Sequence, residues 1–160
     1  MNGAPGNGFE TALGVQLAHG LLASDGRDGL DMRVAYTYAR YRFVSDTAYQ
    51  DNEIPGAPRH MVNAELRYRH PVGLTITPRL DWVPQLYAVN NANTAFNYSW
   101  LALGLRAEWM IGATRLTAFG EARNLANERY SGSVQVNDAN SRYYEPADSR
   151  AFYAGLRYQY

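Results

Sequence analysis

Residues able to do chemistry are present in this 160-residue chain, but not in catalytic company. There are three histidines (His19, His60 and His70), 15 acids, 15 basic side chains and no cysteine. Without thiols there are no disulfides, thiolate metal sites or cysteine nucleophiles. The histidines lie far apart and lack a partner at ligand spacing, so polar residues at strand ends describe them better than a metal centre does. Acid–base work by paired carboxylates needs two acids converging in a dry pocket. Here acids alternate with arginines instead. Arg67 and Arg69, Arg79 and Asp81, Arg106 and Glu108, and Glu121 and Arg123 are each two residues apart. That spacing puts both members of a pair on one face of a strand. Such a set reads as a hydrated lattice lining a lumen. No nucleophile elbow, phosphate loop or zinc spacing occurs. The expectation is no enzyme, no cofactor and no metal.

Composition narrows the class. Formal net charge is zero and the isoelectric point is near 6.8, which favours neither nucleic acid nor a polybasic membrane contact. Tyrosine is over-used, with 13 residues beside 14 glycines and 3 tryptophans. Tyrosine and tryptophan gather where an apolar body meets a wet tip, as in the girdles of membrane barrels. Mean hydropathy is −0.42, and no apolar run approaches the ~20 residues of a spanning helix. Alternating strands average to such a polar score.

Strands are the elements that must carry the pairs. The last stretch, Arg150 to Tyr160, alternates strictly. Phe152, Ala154, Leu156, Tyr158 and Tyr160 form an apolar, aromatic face; Tyr153, Gly155, Arg157 and Gln159 form the other. Earlier strands are predicted at Phe9–Ala18, Leu30–Val44, Met61–His70, Leu74–Ala88 and Tyr98–Trp109. In the second, Ala35, Thr37, Ala39, Tyr41 and Phe43 are assigned to the apolar face. Pro78 and Pro84 are read as bulges. From Leu116 to Val136 the even positions stay largely apolar, which predicts one very long strand, bulged near Asn124. Tight turns at 24–29, 71–73 and 110–113 alternate with long polar loops at 45–58, 89–97 and 137–149. This asymmetry suits an outer-membrane barrel with short periplasmic turns. The count is seven strands, or eight if NLANERY is a turn. Both terminal strands then run towards the periplasm, with the C-terminus periplasmic. The first residues hold no secretory signal, so it is expected to have been removed or to precede a longer parent chain.

At this point the residues resemble a family. IPGAPRH (54–60), VPQLYAVNNANT (83–94), EARNLANERYSGSV (121–134) and RYYEP followed by RAFYAGLRYQY look like the C-terminal barrel of TonB-dependent outer-membrane receptors. The NL-x-x-x-x-Y element (Asn124, Leu125, Tyr130) followed by a loop and the aromatic-ended strand is its most specific part, and that strand resembles a membrane-targeting signal. The resemblance implies an all-β, antiparallel transmembrane barrel segment in the bacterial outer membrane, made of the C-terminal strands of a larger barrel of about 22. It implies uptake of a ferric siderophore or similar scarce nutrient. It also implies lipid, the remaining strands and an absent plug domain as partners, with TonB reached only through the plug. Phe96, Tyr98, Tyr143, Tyr144 and Glu145 are candidates to contact a ligand from outside, or else belong to the upper girdle. An autonomous small barrel acting as scaffold or adhesin is the alternative. A soluble lipocalin-like barrel fits poorly, because a small dry interior would leave the arginines unpaired.

Overall fold

The computed structural model describes residues 6–160; residues 1–5, part of the stretch read as lacking a leader, lie outside that range. The described residues form strands and no helix. Seven strands make one antiparallel sheet: β1 (Gly6–His19), β2 (Gly29–Tyr41), β3 (His60–Arg69), β4 (Leu74–Val83), β7 (Trp100–Met110), β8 (Leu116–Arg123) and β11 (Ala151–Tyr158), in that spatial order. Two small hairpins stand apart, one of β5 (Tyr87–Ala88) with β6 (Phe96–Asn97), the other of β9 (Ser131–Val134) with β10 (Tyr144–Pro146). All seven sheet strands are linked as a meander, so each pairs with its neighbour in sequence once the hairpins are set aside. β1 and β11 do not pair with each other, and the barrel is not closed.

Register sorts the side chains into two faces. Leu13, Val34, Ala64, Leu80 and Leu103 are mutually paired across five strands, as are Val15, Met32 and Leu66. On β7, β8 and β11 the row continues through Leu105, Ala122 and Phe152. Among the described residues nothing packs over this face: Phe9, Leu13, Trp109, Phe152, Leu156 and Tyr158 are all exposed. Aromatics mark both of its ends. Phe9 lies 5.6 Å from Tyr36 and 5.7 Å from Tyr38 near the long loops, and Trp109 and Tyr158 stand near the short turns.

This register overturns the assignment of β2. Val34, Tyr36 and Tyr38 pair with Leu13, Thr11 and Phe9, so the even positions share the apolar face. Ala35, Thr37, Ala39 and Tyr41 stand on the opposite face with Arg33, which pairs with Glu65. Alternation alone left the choice open, because Arg40 and Arg42 share the even positions with Val34, Tyr36 and Tyr38. The prolines also behave differently from expectation. Pro78 sits inside β4 with its register to β7 unbroken, opposite Leu105. The ladder to β3 skips only the positions facing Pro78 and Thr77 and resumes in the same register, so no bulge forms. Pro84 lies just beyond the strand. The shift of register is in β1, between Gln16 and Ala18.

The strand predicted over 116–136 is two elements. β8 stops at Arg123, and Asn124 and Asn127 adopt φ of 48° and 54°, a left-handed conformation that asparagine tolerates. Asn124 clamps the turn: its amide donates to the Glu128 and Asp148 carbonyls, and its carbonyl oxygen accepts the Glu128 N–H. The chain then enters the separate β9–β10 hairpin, so the main sheet keeps seven strands. Likewise the fourth strand ends at Val83, and Tyr87–Ala88 belong to a loop hairpin. The terminal strand ends at Tyr158, leaving Tyr160 beyond it.

The long loops are not loose. Val83, Tyr87, Ala88 and Val89 are four of the five buried apolar residues among those described, and all lie at the loop end. Segments 42–59, 84–99 and 124–150 interlock through asparagines. The Asn93 side chain accepts from Glu53 N–H and donates to the Glu53 carbonyl, and the Asn91 and Asn137 side chains bond at 3.0 Å.

At the opposite end, the β1–β2 turn folds around Asp28, which is 1% exposed. Its carboxylate accepts the Leu21 and Leu22 N–H groups and the Tyr68 hydroxyl. Burial pushes its pKa up, but the hydrogen bonds from Leu22, Tyr68 and Ala23 outweigh burial and bring it from 3.8 down to about 2. A folded value below the unfolded one means the stabilisation is complete above the unfolded value and is lost as pH falls through the folded one. Carboxyl carbon shifts followed by NMR should therefore place the Asp28 midpoint near 2, with the turn loosening below it. A midpoint at the ordinary 3.8 would show that the carboxylate is not engaged.

Candidate functional site

The polar face concentrates its charges where β4, β7 and β8 adjoin. Arg106 and Glu121 are directly paired across β7 and β8, and Arg106 donates to Glu121 at 2.8 Å and to Glu108 at 3.0 Å. Arg123, two residues along β8, donates its Nε to the other Glu121 oxygen at 2.6 Å. Arg79 reaches the same oxygen at 3.4 Å from β4. Its path crosses Gly104, with which it pairs; a Cβ there would stand 3.4 Å from the Ala122 carbonyl and 3.9 Å from the Arg79 Cβ. The Glu121 side chain is 6% exposed and so serves three arginines. Arg157 adds a fourth cation, 3.6 Å from Glu108.

Aromatic rings brace the cluster. Arg106 lies over Phe119 at 4.7 Å, and Arg123 over Tyr153 at 4.9 Å. Every one of the 15 basic residues is arginine, whose planar fork suits such shared carboxylates. Towards β2, Arg67 pairs with Glu65 at 3.1 Å, Arg69 with Asp31 at 2.6 Å, and Asp81 accepts from Asn63 at 2.6 Å. All eight charged residues singled out in the sequence thus share one face. They divide between two groups, with Arg79, Arg106, Glu108, Glu121 and Arg123 together and the rest nearer β2.

The five loop candidates are only partly gathered. Tyr98, 75% exposed, and Tyr144 line a cavity of about 600 Å³ between segments 97–99 and 127–149. The Tyr144 hydroxyl donates to the Phe96 carbonyl at 2.9 Å, which ties the two small hairpins together. Phe96, Tyr143 and Glu145 do not line that cavity. Glu145 accepts from Gln135 at 3.0 Å, and this contact and one from Ser133 hold its carboxyl below the usual range. Of the histidines, His60 meets the Tyr36 hydroxyl at 2.7 Å, and no group of acids and histidines able to hold a metal occurs among the described residues.

Tyr130 is the residue that sequence reasoning used only as part of a motif. It stacks on Trp100 with centroids 4.3 Å apart and lines both the loop cavity and a second one of about 380 Å³ over the arginine cluster. Burial raises its pKa, as do the nearby Asp81 and Asp148, so the phenol keeps its proton. Its place in NL-x-x-x-x-Y was the available signal; the stacking partner, thirty residues earlier in sequence, was not legible.

The pattern of the family described as TonB dependent receptor-like, beta-barrel matches residues 6–125. The chain belongs to the TonB-dependent receptor-like β-barrel family. It is a family of receptors and transporters, not of enzymes. Among solved structures, the chain is similar to the ferric citrate transporter FecA (TM-score 0.77, 18% identity), covering 94% of this chain and 23% of that one. It is similar also to the siderophore receptor PiuA from Acinetobacter baumannii (TM-score 0.74, 15% identity, 98% of this chain and 22% of that one). The ferric yersiniabactin uptake receptor FyuA from Yersinia pestis gives a TM-score of 0.65 at 17% identity, with 94% and 23% coverage. At these identities the likeness is one of fold. The chain spans about a quarter of the length of these receptors.

Proposed function

We propose that this chain forms the C-terminal strands of an outer-membrane receptor barrel that takes up a ferric siderophore or similar scarce nutrient. In this reading the full-length protein is energised through TonB by way of its plug domain. The observation that carries it is a single open sheet whose apolar face has no covering layer while its other face is an arginine–carboxylate lattice. Lipid against the first face and a hydrated lumen against the second satisfy both. The lumen then holds Arg67, Arg69, Arg79, Asp81, Arg106, Glu108, Glu121 and Arg123. The short turns, the Asp28 turn and the C-terminus are periplasmic, and Tyr98 and Tyr144 stand outside, facing an arriving ligand. Phe152, Ala154, Leu156 and Tyr158 present the targeting face of the last strand.

The free edges of β1 and β11 bear on autonomy. Each unpaired N–H or C=O in hydrocarbon costs several kcal/mol, and only a closed barrel satisfies them. Both edges run from the long loops to the short turns, so joining them would require a parallel seam in an antiparallel sheet. Further strands are therefore needed, and we expect no transport by this chain alone. Cysteines at Leu13 and Leu156, placed on the two edge strands, should not cross-link within a monomer in liposomes. Efficient intramolecular cross-linking would favour an autonomous closed barrel, a scaffold or adhesin, over a receptor segment. The same reading predicts that folding needs detergent or lipid; a monodisperse sample with a cooperative melt in plain buffer would contradict it.

A further inference from the structure

The turn between β1 and β2 is longer than reversing the chain requires, since two residues suffice between antiparallel strands. Gly20 opens it at φ 67°, and its N–H donates to the Asp28 carbonyl at 3.1 Å. Asp28 closes it, taking the Leu21 and Leu22 N–H groups on its carboxylate at 3.0 and 2.7 Å. The buried acid thus fixes the backbone of two leucines whose side chains stay outside. Leu21 is 48% exposed and Leu22 is 78% exposed.

The clamp sits at the margin of the apolar face. Tyr68, whose hydroxyl donates to Asp28 at 2.9 Å, pairs with Leu30 and Ile76 in the apolar rows. Leu30 pairs in turn with Ala18, two residues before Gly20. The turn itself divides by chemistry. Residues 15–23 contain no acid and no arginine, and His19 pairs with Gly29 in the polar rows. The tip beyond them is charged, and there Asp25 and Arg27 pair with each other at 2.6 Å. An uncharged arm continuous with the apolar face suits lipid, because a protein partner would have to cover leucines that already adjoin hydrocarbon.

We propose that residues 21–23 are a membrane anchor, held by Asp28 and Tyr68 in the lipid interface at the short-turn end of the sheet. The proposal rests on the receptor reading, which puts lipid against the apolar face. Amphipathic helices on a bilayer bury their apolar side about 5–10 Å into the boundary between headgroups and acyl chains, and this arm enters the same zone. Tyrosine suits that boundary, with its ring in the apolar layer and its hydroxyl at the polar edge. Three donors on the Asp28 carboxylate offset the cost of keeping it beside hydrocarbon. The anchor sets the depth of β1 and β2 in the bilayer.

The chain has no cysteine, so a bimane label on one introduced cysteine reports a single place. The whole chain is refolded in phosphatidylcholine nanodiscs, where both bilayer surfaces meet buffer, with the label at Leu22→Cys, Asp25→Cys or Leu13→Cys. Iodide quenches from water; lipid brominated near the headgroup or at the chain ends quenches from the bilayer. The label at 22 should be blue-shifted, protected from iodide and quenched by the headgroup-proximal bromines. The label at 25 should be open to iodide, and the one at 13 should respond to the chain-end bromines. Asp28→Ala should give the label at 22 the iodide access of the label at 25, and leave the label at 13 unchanged. Equal iodide access at 22 and 25, with 13 protected, would overturn the anchor and leave the receptor reading standing. Iodide access at 13 as well would overturn both. Unchanged lipid quenching at 22 in both Asp28→Ala and Tyr68→Phe would overturn the role given to the clamp.

Discussion

Leu103→Arg is expected to lower the folded yield in liposomes severely, while Arg106→Leu, three residues along the same strand, is not. Leu103 lies on the apolar face, paired with Leu80 and flanked by Leu101 and Leu105, with no layer over it. An arginine at mid-membrane on the lipid face of a barrel costs about 2–4 kcal/mol. Arg106 faces the other way and bonds two carboxylates, Glu121 and Glu108. Its loss leaves Glu121 with Arg79 and Arg123, and the site stays wet. A leucine there should therefore cost less than an arginine at 103. Yields are read by heat-dependent gel mobility after refolding. Equal yields for the two variants would show the face assignment to be wrong.

The second large effect is expected at Glu121. Glu121→Leu removes the one carboxylate common to Arg79, Arg106 and Arg123 and leaves three cations in mutual repulsion. Breaking a buried pair costs about 3–5 kcal/mol, and an exposed one about 0–1. Glu121 is buried but its arginines are part-exposed, so roughly 1–3 kcal/mol is expected, read from urea unfolding in detergent. The size of this penalty should fall when Arg123→Gln is added, since the repulsion is then relieved. A double variant no better than Glu121→Leu alone would show that the carboxylate matters through packing and not through charge. The ordering is informative too: Glu108→Leu, which loses ion pairs with Arg106 and Arg157, should cost less than Glu121→Leu.

Alternation along the chain by itself determined the all-β class, the alternation of short turns with long loops, and the shared face of the eight charged residues. These are period-2 facts, and period 2 is written in sequence. The terminal strand is the clearest case: Phe152, Ala154, Leu156 and Tyr158 line up as expected on one face. What only the tertiary structure decided depends on partners distant in sequence. The face of β2 was set by pairing with Phe9, Thr11 and Leu13 on one side and Val62 and Ala64 on the other, because its own arginines and tyrosines do not choose. Whether apolar parity runs on through Asn124 was decided by a left-handed asparagine whose side chain bonds across to the Asp148 carbonyl. The loops read as polar, yet Val83, Tyr87, Ala88 and Val89 are buried at their end of the sheet, where asparagine side chains satisfy the loop backbone. The cavity lined by Tyr130 and Arg79 was equally invisible, since its walls come from β4, β7, β8 and the segment 124–148, which only the fold brings together.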